Sequence, residues 1–421
     1  MLSLHQKLLS ILFLILFNDW FIMNDLNELI DKYGQPDALI DNYNLQFGYA
    51  VWGYDETYHY SIGGQYHNNN QLDLSSFNFL DNLLDSWCQS QSDIKALGFL
   101  SYDVKNIFYP HLNFKNTDTS VPYIWFIKPK VVKPYFINTN YSKSDDTPLY
   151  QKNNLMDLFK YQKLISKIKF ELKAGNTYQI NLTMQQIFEI HKNPLDIYLQ
   201  IRNFAKPRYG YYLNIGGQQI LSFSPEEFFH TNGSTIYSYP MKGTIRRSEN
   251  DLNDKQLKKE LSNSIKDQSE HIMIVDLLRN DLGKICKYGS IKVKDLFSIE
   301  SYPTVHQMVS CISGEMKRNI QYSDIFKALC PGGSITGAPK ESSMQIIDRL
   351  ENYNRGLYTG NIGYIDNNNN MHFNIAIRTM IVNQNKAQYC VGGGIVWDSD
   401  YNKEWKEAEL KAAILNQFTG G

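Results

Sequence analysis

Asn232-Gly233 sits between two short runs of strand-forming residues, Phe228-Phe229-His230 and Thr235-Ile236-Tyr237. An Asn-Gly pair accepts the left-handed dihedrals of a type I′ turn, so the segment reads as a tight hairpin. The polar run Asn367 to Asn370 plays the same part between Ile362-Gly363-Tyr364-Ile365 and a strand-like stretch running from Phe373 through Arg378 to Ile381. Such short connections join antiparallel strands, because parallel neighbours need a crossover of about a dozen residues or more. Helical patterns lie between the hairpins. Leu158, Tyr161, Leu164, Ile165, Ile168 and Leu172 recur at helical spacing and stop at Gly175; Leu26, Leu29, Ile30 and Tyr33 do so before Gly34. Alternation in Thr177 to Met184 predicts a strand with one packed and one polar face. Together these patterns predict an α+β fold of layered antiparallel β-sheets with flanking helices, rather than a doubly wound parallel sheet.

With 421 residues, 43% of them hydrophobic, the chain can bury the core of two domains or of one large intertwined one. A polar stretch over 138–154 lacks an apolar period and reads as a linker, dividing an N-terminal region, 23–150, from a motif-rich region, 151–421. The 42 basic and 43 acidic residues balance, which argues against a nucleic-acid surface. Five scattered cysteines form neither a disulfide framework nor a zinc motif, as expected of a cytoplasmic protein. The apolar run Leu8 to Phe17 is too short for a membrane span of about 20 residues and lacks a small-residue cleavage site. Residues 1–22 are therefore read as an apolar extension, either upstream of a start at Met23, which is the favoured reading, or a signal segment.

Several segments carry chemistry. Pro240-Met241-Lys242-Gly243-Thr244 places a lysine between backbone-restricting residues at a strand end, and a lysine made neutral by burial or by a nearby positive charge is a nucleophile. Glu226, in Ser224-Pro225-Glu226, precedes the hairpin leading to Lys242; it either caps a turn or, with a raised pKa, acts as a general acid. Glu270 heads an amphipathic helix, and Glu404 and Glu407 share a helical face three residues apart. One or two carboxylates with water and ligand oxygens suit Mg²⁺. The run Pro331 to Lys340 combines glycines with a helix start, a pattern that can bind anions, although it is not a Walker A loop. At Gly392-Gly393-Gly394, only glycine lets a ligand approach a strand backbone. Arg378 in apolar surroundings needs an anion, and His306 is a base, a donor or simply structural.

Taken in order, Gly175-x-x-Tyr178-Gln179-x-Asn181-Leu182, Ser224-Pro225-Glu226, Pro240-x-Lys242-Gly243-Thr244, Glu270 with Asp276-Leu277-x-Arg279-Asn280-Asp281, Pro331 to Lys340, Ile377-Arg378-Thr379 and Gly392-Gly393-Gly394-Ile395 resemble the chorismate-utilising enzymes. The likeness covers about residues 155 to 415, and Leu97 to Asp103 resembles a Gly-Tyr-x-x-Tyr-Asp stretch of that family. Two positions distinguish its chemistries. Isochorismate and salicylate synthases carry a lysine base where this chain has Gln179, and anthranilate synthases typically an alanine where it has Lys242. The resemblance thus points to the aminodeoxychorismate synthase branch. It implies Lys242 as covalent nucleophile and Glu226 as acid, with Mg²⁺ held by Glu270, Glu404 and Glu407. Substrate-binding roles fall on Gly243, Thr244, His306, Thr336, Gly337, Tyr358, Arg378, Gly392 and Gly393. The implied partners are chorismate and a separate glutamine amidotransferase subunit supplying ammonia, since no Gly-x-Cys-x-Gly nucleophile segment is found. Neither nucleic acid nor membrane is expected. An anthranilate-forming enzyme and a non-catalytic chorismate-binding subunit remain as alternatives.

Overall fold

The computed structural model describes residues 24–73, 76–90, 92–115, 121–137, 149–154, 156–302, 305–415 and 418–420. The apolar extension, the expected start at Met23 and most of the predicted linker lie outside them. In chain order the N-terminal elements are helix α1 (Leu26–Tyr33) and strands β1 (Ala38–Asn42), β2 (Phe47–Ser61), β3 (Ile94–Leu100), β4 (Ile124–Phe136) and β5 (Leu149–Asn154). Then follow helix α2 (Leu158–Lys173), strand β6 (Gln179–Ile190), helix α3 (Pro194–Ala205) and strands β7 (Tyr209–Ile215), β8 (Gln218–Ser224), β9 (Glu227–Asn232), β10 (Thr235–Ser238) and β11 (Met241–Arg246). Helices α4 (Asp251–Asn263) and α5 (Ile265–Ile285) precede strands β12 (Lys292–Ser301) and β13 (Val305–Glu315). The last part contains helix α6 (Lys340–Leu350), strands β14 (Asn361–Asp366), β15 (Met371–Asn374), β16 (Thr379–Asn383) and β17 (Lys386–Ile395), and helix α7 (Tyr401–Ala412).

Every pairing among these strands is antiparallel, as the hairpin signals predict. One sheet runs β5-β6-β17-β16-β8-β7-β1 and ends on the first half of β2 with the second half of β4. The other begins where β2 and β4 continue, then runs β3-β14-β15-β9-β10-β13, with β11 following β10 along one edge of β13 and β12 paired along its other edge. The β2–β4 pair carries a bulge between Tyr54 and Glu56, just after Gly53 at φ +65°, and a bulge bends a strand. Ile40, Val51, Leu213, Ile220 and Ile381 of the first sheet share an apolar cluster with Leu97, Phe99 and Ile362 of the second. Helices cover the outer faces through a larger apolar core. Strands on both sides of residue 150 are thus built into common sheets. No helix among the described residues is long and apolar enough to cross a membrane.

Local expectations hold at α1, capped by Asp25 and stopped by Gly34, and at α2. Three differ. Leu149–Asn154, inside the predicted linker, is a strand because β6 and residues Thr419–Gly420 supply backbone partners that its polar sequence does not announce. The predicted polar face of β6 is buried, with Gln179 at 0% and Asn181 at 7% exposure, because the interior supplies polar partners to Asn181 and Thr183, the Ile335 carbonyl at 3.1 Å and Glu351 at 2.8 Å. The predicted strand through Arg378 breaks at residues 375–378, where Arg378 takes φ +51°.

The two regions are riveted by a buried charge. Asp41 on β1 accepts bonds from Tyr135 of β4, from Tyr198 of α3 at 2.7 Å and from Arg202 of α3 at 3.1 Å. The Asp41 and Arg202 side chains are 0% and 3% exposed. Removing one member of a buried pair strands the other charge. Arg202→Met should therefore cost about 3–5 kcal/mol in urea unfolding, whereas substitution of solvent-facing Lys255 should change little.

Candidate active site

The recess is built around strand β17, where Gly392, Gly393 and Gly394 pair with Thr183, Leu182 and Asn181 of β6. A Cβ added at Gly394 would lie 2.9 Å from Gln179 Nε2 and 3.4 Å from Lys242 Nζ. One added at Gly393 would lie 3.6 Å from Lys411 Nζ and 3.7 Å from Glu404 Oε2. Absent side chains thus leave two cations, an amide and a carboxylate around bare backbone.

Lys242 reaches this point from β11, where the pairing with β13 bulges between Lys242 and Thr244. The bulge residue is Gly243 at φ +77°, and a Cβ there would press 3.0 Å from Asp267 Cβ on α5. Glycine therefore lets the first turn of α5 close against the lysine, and Glu270 lies one turn further on. Helix α5 starts at Ile265, a turn earlier than the sequence suggests, because Ser264 caps it by accepting from the Asp267 N–H.

Burial, followed by the charge of Lys411, holds Lys242 below ordinary lysine basicity, and Glu270, Glu226 and Glu407 only partly oppose this. Burial pushes Glu226 up to about 7 against the opposing pull of Lys242 and Lys411. The pair is thus shifted toward a neutral amine and a protonated acid. Under them His271 accepts or donates a 2.7 Å bond with Ser310, while burial and then Lys242 push its pKa down to about 4.

Glu404 accepts a 2.7 Å bond from Ser399, and Glu407 pairs with Lys411 at 2.8 Å. Lys411 also donates to the Gly392 carbonyl at 2.9 Å. Burial raises Glu270 and Glu404, and the charge of Glu407 adds to both. The three carboxylates therefore share one field. Among the described residues, no three carboxylate, imidazole or thiol groups form a ready-made metal cage. Hard oxygen donors in this loose arrangement fit Mg²⁺, which keeps water and ligand oxygens in its shell.

Other predicted residues are engaged elsewhere. His306 is 1% exposed and spends both nitrogens on protein partners, Asp254 at 3.0 Å and Ser301 at 2.9 Å, so the structure gives it a structural role rather than a place in the recess. Thr336 is fully buried and turns its hydroxyl onto the Gly332 carbonyl at 2.9 Å. Packing demands each glycine of that run: added Cβ atoms would lie 3.0 Å from Phe228 at Gly332, 2.1 Å from Leu277 at Gly333 and 2.0 Å from the Gln179 carbonyl at Gly337. Lys340 forms a buried 2.6 Å ion pair with Asp281. Thr244 is exposed on β11. Arg378 has no ion pair among the described residues, and its charge acts on Tyr389. Tyr358 is 6% exposed.

A family model described as "chorismate binding enzyme" matches residues 138–417. The chain belongs to the chorismate-binding enzymes. It is 31% identical over 339 residues to anthranilate synthase component 1 of Saccharolobus solfataricus, covering 77% of this chain and 80% of that protein. It is 38% identical over 257 residues to aminodeoxychorismate synthase component 1 of Bacillus subtilis, covering 61% of this chain and 55% of the relative, little more than half its length. The crystal structure of anthranilate synthase component I from Streptococcus pneumoniae superposes with a TM-score of 0.77 at 25% identity, covering 88% of this chain and 92% of the other.

Sequence reasoning about this chorismate-binding enzyme missed Lys411, although its spacing four residues after Glu407 is a readable helical pair. It also gave Gln179 no binding role. Both amide atoms of Gln179 are buried without a partner among the described residues, leaving them available to a ligand.

The raised Glu226 makes a stability test. Its folded pKa of about 7 lies above the ordinary 4.5, so its contribution is fully present below about pH 4.5 and is lost as pH rises through 7. In metal-free buffer, Glu226→Gln should raise the melting temperature relative to wild type more at pH 8 than at pH 4.5; an equal difference at both would show that Glu226 titrates normally.

Proposed function

We propose that this enzyme aminates chorismate at C4 to 4-amino-4-deoxychorismate, the precursor of 4-aminobenzoate in folate synthesis, through a covalent Lys242 intermediate. The observation that carries this reading is a lysine of depressed basicity beside the glycine strand, whose charge acts on a buried Glu226 carboxyl of raised pKa. The Lys242 amine adds to the ring carbon next to that bearing the carboxylate. The ring double bonds shift, the C4–O bond breaks, and Glu226 gives its proton to the departing hydroxyl, which leaves as water. Ammonia then bonds to C4, the double bonds shift back and the carbon–Nζ bond breaks. Glu226 recovers a proton from the new ammonium, returning the site to its starting state with the enolpyruvyl group intact.

Arg378 and Tyr358 hold the enolpyruvyl carboxylate in this reading. Glu270, Glu404 and Glu407 would hold Mg²⁺, which when bound supplies charge neutralisation for the ring carboxylate. Ammonia comes from a separate glutamine amidotransferase subunit. The named Bacillus subtilis relative supports the aminodeoxychorismate branch; the longer match to a named anthranilate synthase makes the product the deciding observation.

Wild-type protein with chorismate, Mg²⁺ and ammonium should form aminodeoxychorismate, detected by mass spectrometry. Anthranilate with pyruvate would instead assign the other branch. Lys242→Ala should lower the rate by about 10²-fold or more, and without ammonia wild-type protein should gain the mass of chorismate less water on Lys242. Full amination by Lys242→Ala at saturating ammonium refutes the covalent role. Added Mg²⁺ should raise the melting temperature of wild type, and this shift should shrink in Glu270→Gln.

A further inference from the structure

The Leu97 to Asp103 stretch resembles a family motif but takes no part in the chemistry above. It ends in three buried residues, Ser101, Tyr102 and Asp103, each 1% exposed. Two of them grip one distant residue. The Tyr102 N–H donates to the Gly356 carbonyl at 2.9 Å, and Asp103 Oδ2 accepts the Gly356 N–H at 2.9 Å. Gly356 has φ +59°, a conformation suited to glycine.

The gripped segment leads directly to Tyr358. Arg355, 1% exposed, makes two 2.8 Å bonds to Glu351 and donates to the Ile335 carbonyl at 2.8 Å and the Asn181 carbonyl at 2.6 Å. Its guanidinium lies 4.4 Å from the centre of the Tyr102 ring. The Arg355 carbonyl accepts the Tyr358 N–H at 3.2 Å. Thr359 then adopts φ +64°, a rarely populated region for a β-branched residue, and is held by a 2.9 Å bond from its N–H to the Ala376 carbonyl. Such a conformation persists where surrounding structure over-determines it. Here the fixed points are Gly356 before Tyr358 and Ala376 after it.

We propose that Asp103 is a positioning residue that acts through Gly356 on Tyr358, so that the N-terminal region sets the substrate-facing end of the site. This rests on the reading of Tyr358 as a contact to the enolpyruvyl carboxylate. Asp103 touches neither substrate nor Lys242 in this scheme. Losing its acceptor frees the Gly356 peptide and lets the Tyr358 hydroxyl wander, weakening substrate binding more than the chemical step.

Asp103→Ala, Asp103→Asn, Tyr358→Phe and the double variant Asp103→Ala/Tyr358→Phe are compared for chorismate KM, kcat with ammonium and melting temperature. Asp103→Ala should raise KM about tenfold with kcat changed by less than about twofold. Asp103→Asn, whose amide oxygen can still accept the Gly356 N–H, should recover most of the loss. The double variant should be no worse in KM than the more impaired single variant, because both act at one contact. Multiplying KM effects, an unchanged KM in Asp103→Ala, or equal losses in both Asp103 variants overturn the proposal. If an Asp103→Ala protein is unfolded by its melting curve, Asp103→Ser, whose shortened side chain also gives up the Gly356 N–H, replaces it in the coupling with Tyr358→Phe. Failure of wild type to convert chorismate is distinguishable, since it rejects the function reading itself.

Discussion

The close pairing of β17 against β6 at Gly392 to Gly394 is the constraint around which the site is organised. An ordinary strand would place side chains where Lys242 Nζ, Gln179 and Lys411 Nζ now lie within about one methyl group of the glycine positions. Because the glycines add no bulk, groups from β11, β6 and α7 can face the same stretch of backbone while remaining on rigid elements. Precision in such a recess comes from the sheet, and variation in charge comes from what the surrounding helices bring to it.

That concentration of charge works against the fold. Burial alone pushes Lys242 down and Glu226 up, and the two lysines repel each other across the strand end. The surrounding core supplies what the recess gives away: apolar packing between the two sheets, the Asp41–Arg202 rivet and the Arg355–Glu351 pair are all satisfied internally. A site held out of electrostatic balance in a balanced scaffold is prepared to accept charge from a ligand.

Features legible in the sequence were those with local causes. Asn232-Gly233 predicts the hairpin, although Asn232 stays paired with Thr235 and the loop is Gly233-Ser234 with Gly233 left-handed, and the periodicity of α2 predicts its buried stripe. Lys242 and the three glycines of β17 were recognisable because their neighbours restrict the backbone. Other assignments depended on partners distant in sequence. Nothing around Lys340 indicates Asp281, nothing around His306 indicates Asp254, and the apparent anion loop is explained by Leu277 and Phe228. The strand predicted through Arg378 failed for the same reason: a run apolar on both faces cannot reveal that one residue must turn left-handed between two sheets.

The bent β2–β4 pair has a consequence for how the chain is made. Ala38 pairs across β1 with Val51, but its other edge waits for Leu213; Leu100 of β3 waits for Asn361. Strands synthesised early therefore leave the ribosome with apolar faces and open edges whose partners are not yet translated. Neither sheet can close until nearly the whole polypeptide is available, so long-range pairing dominates the topology, and until then the first strands present open edges of the kind that pair with neighbouring copies.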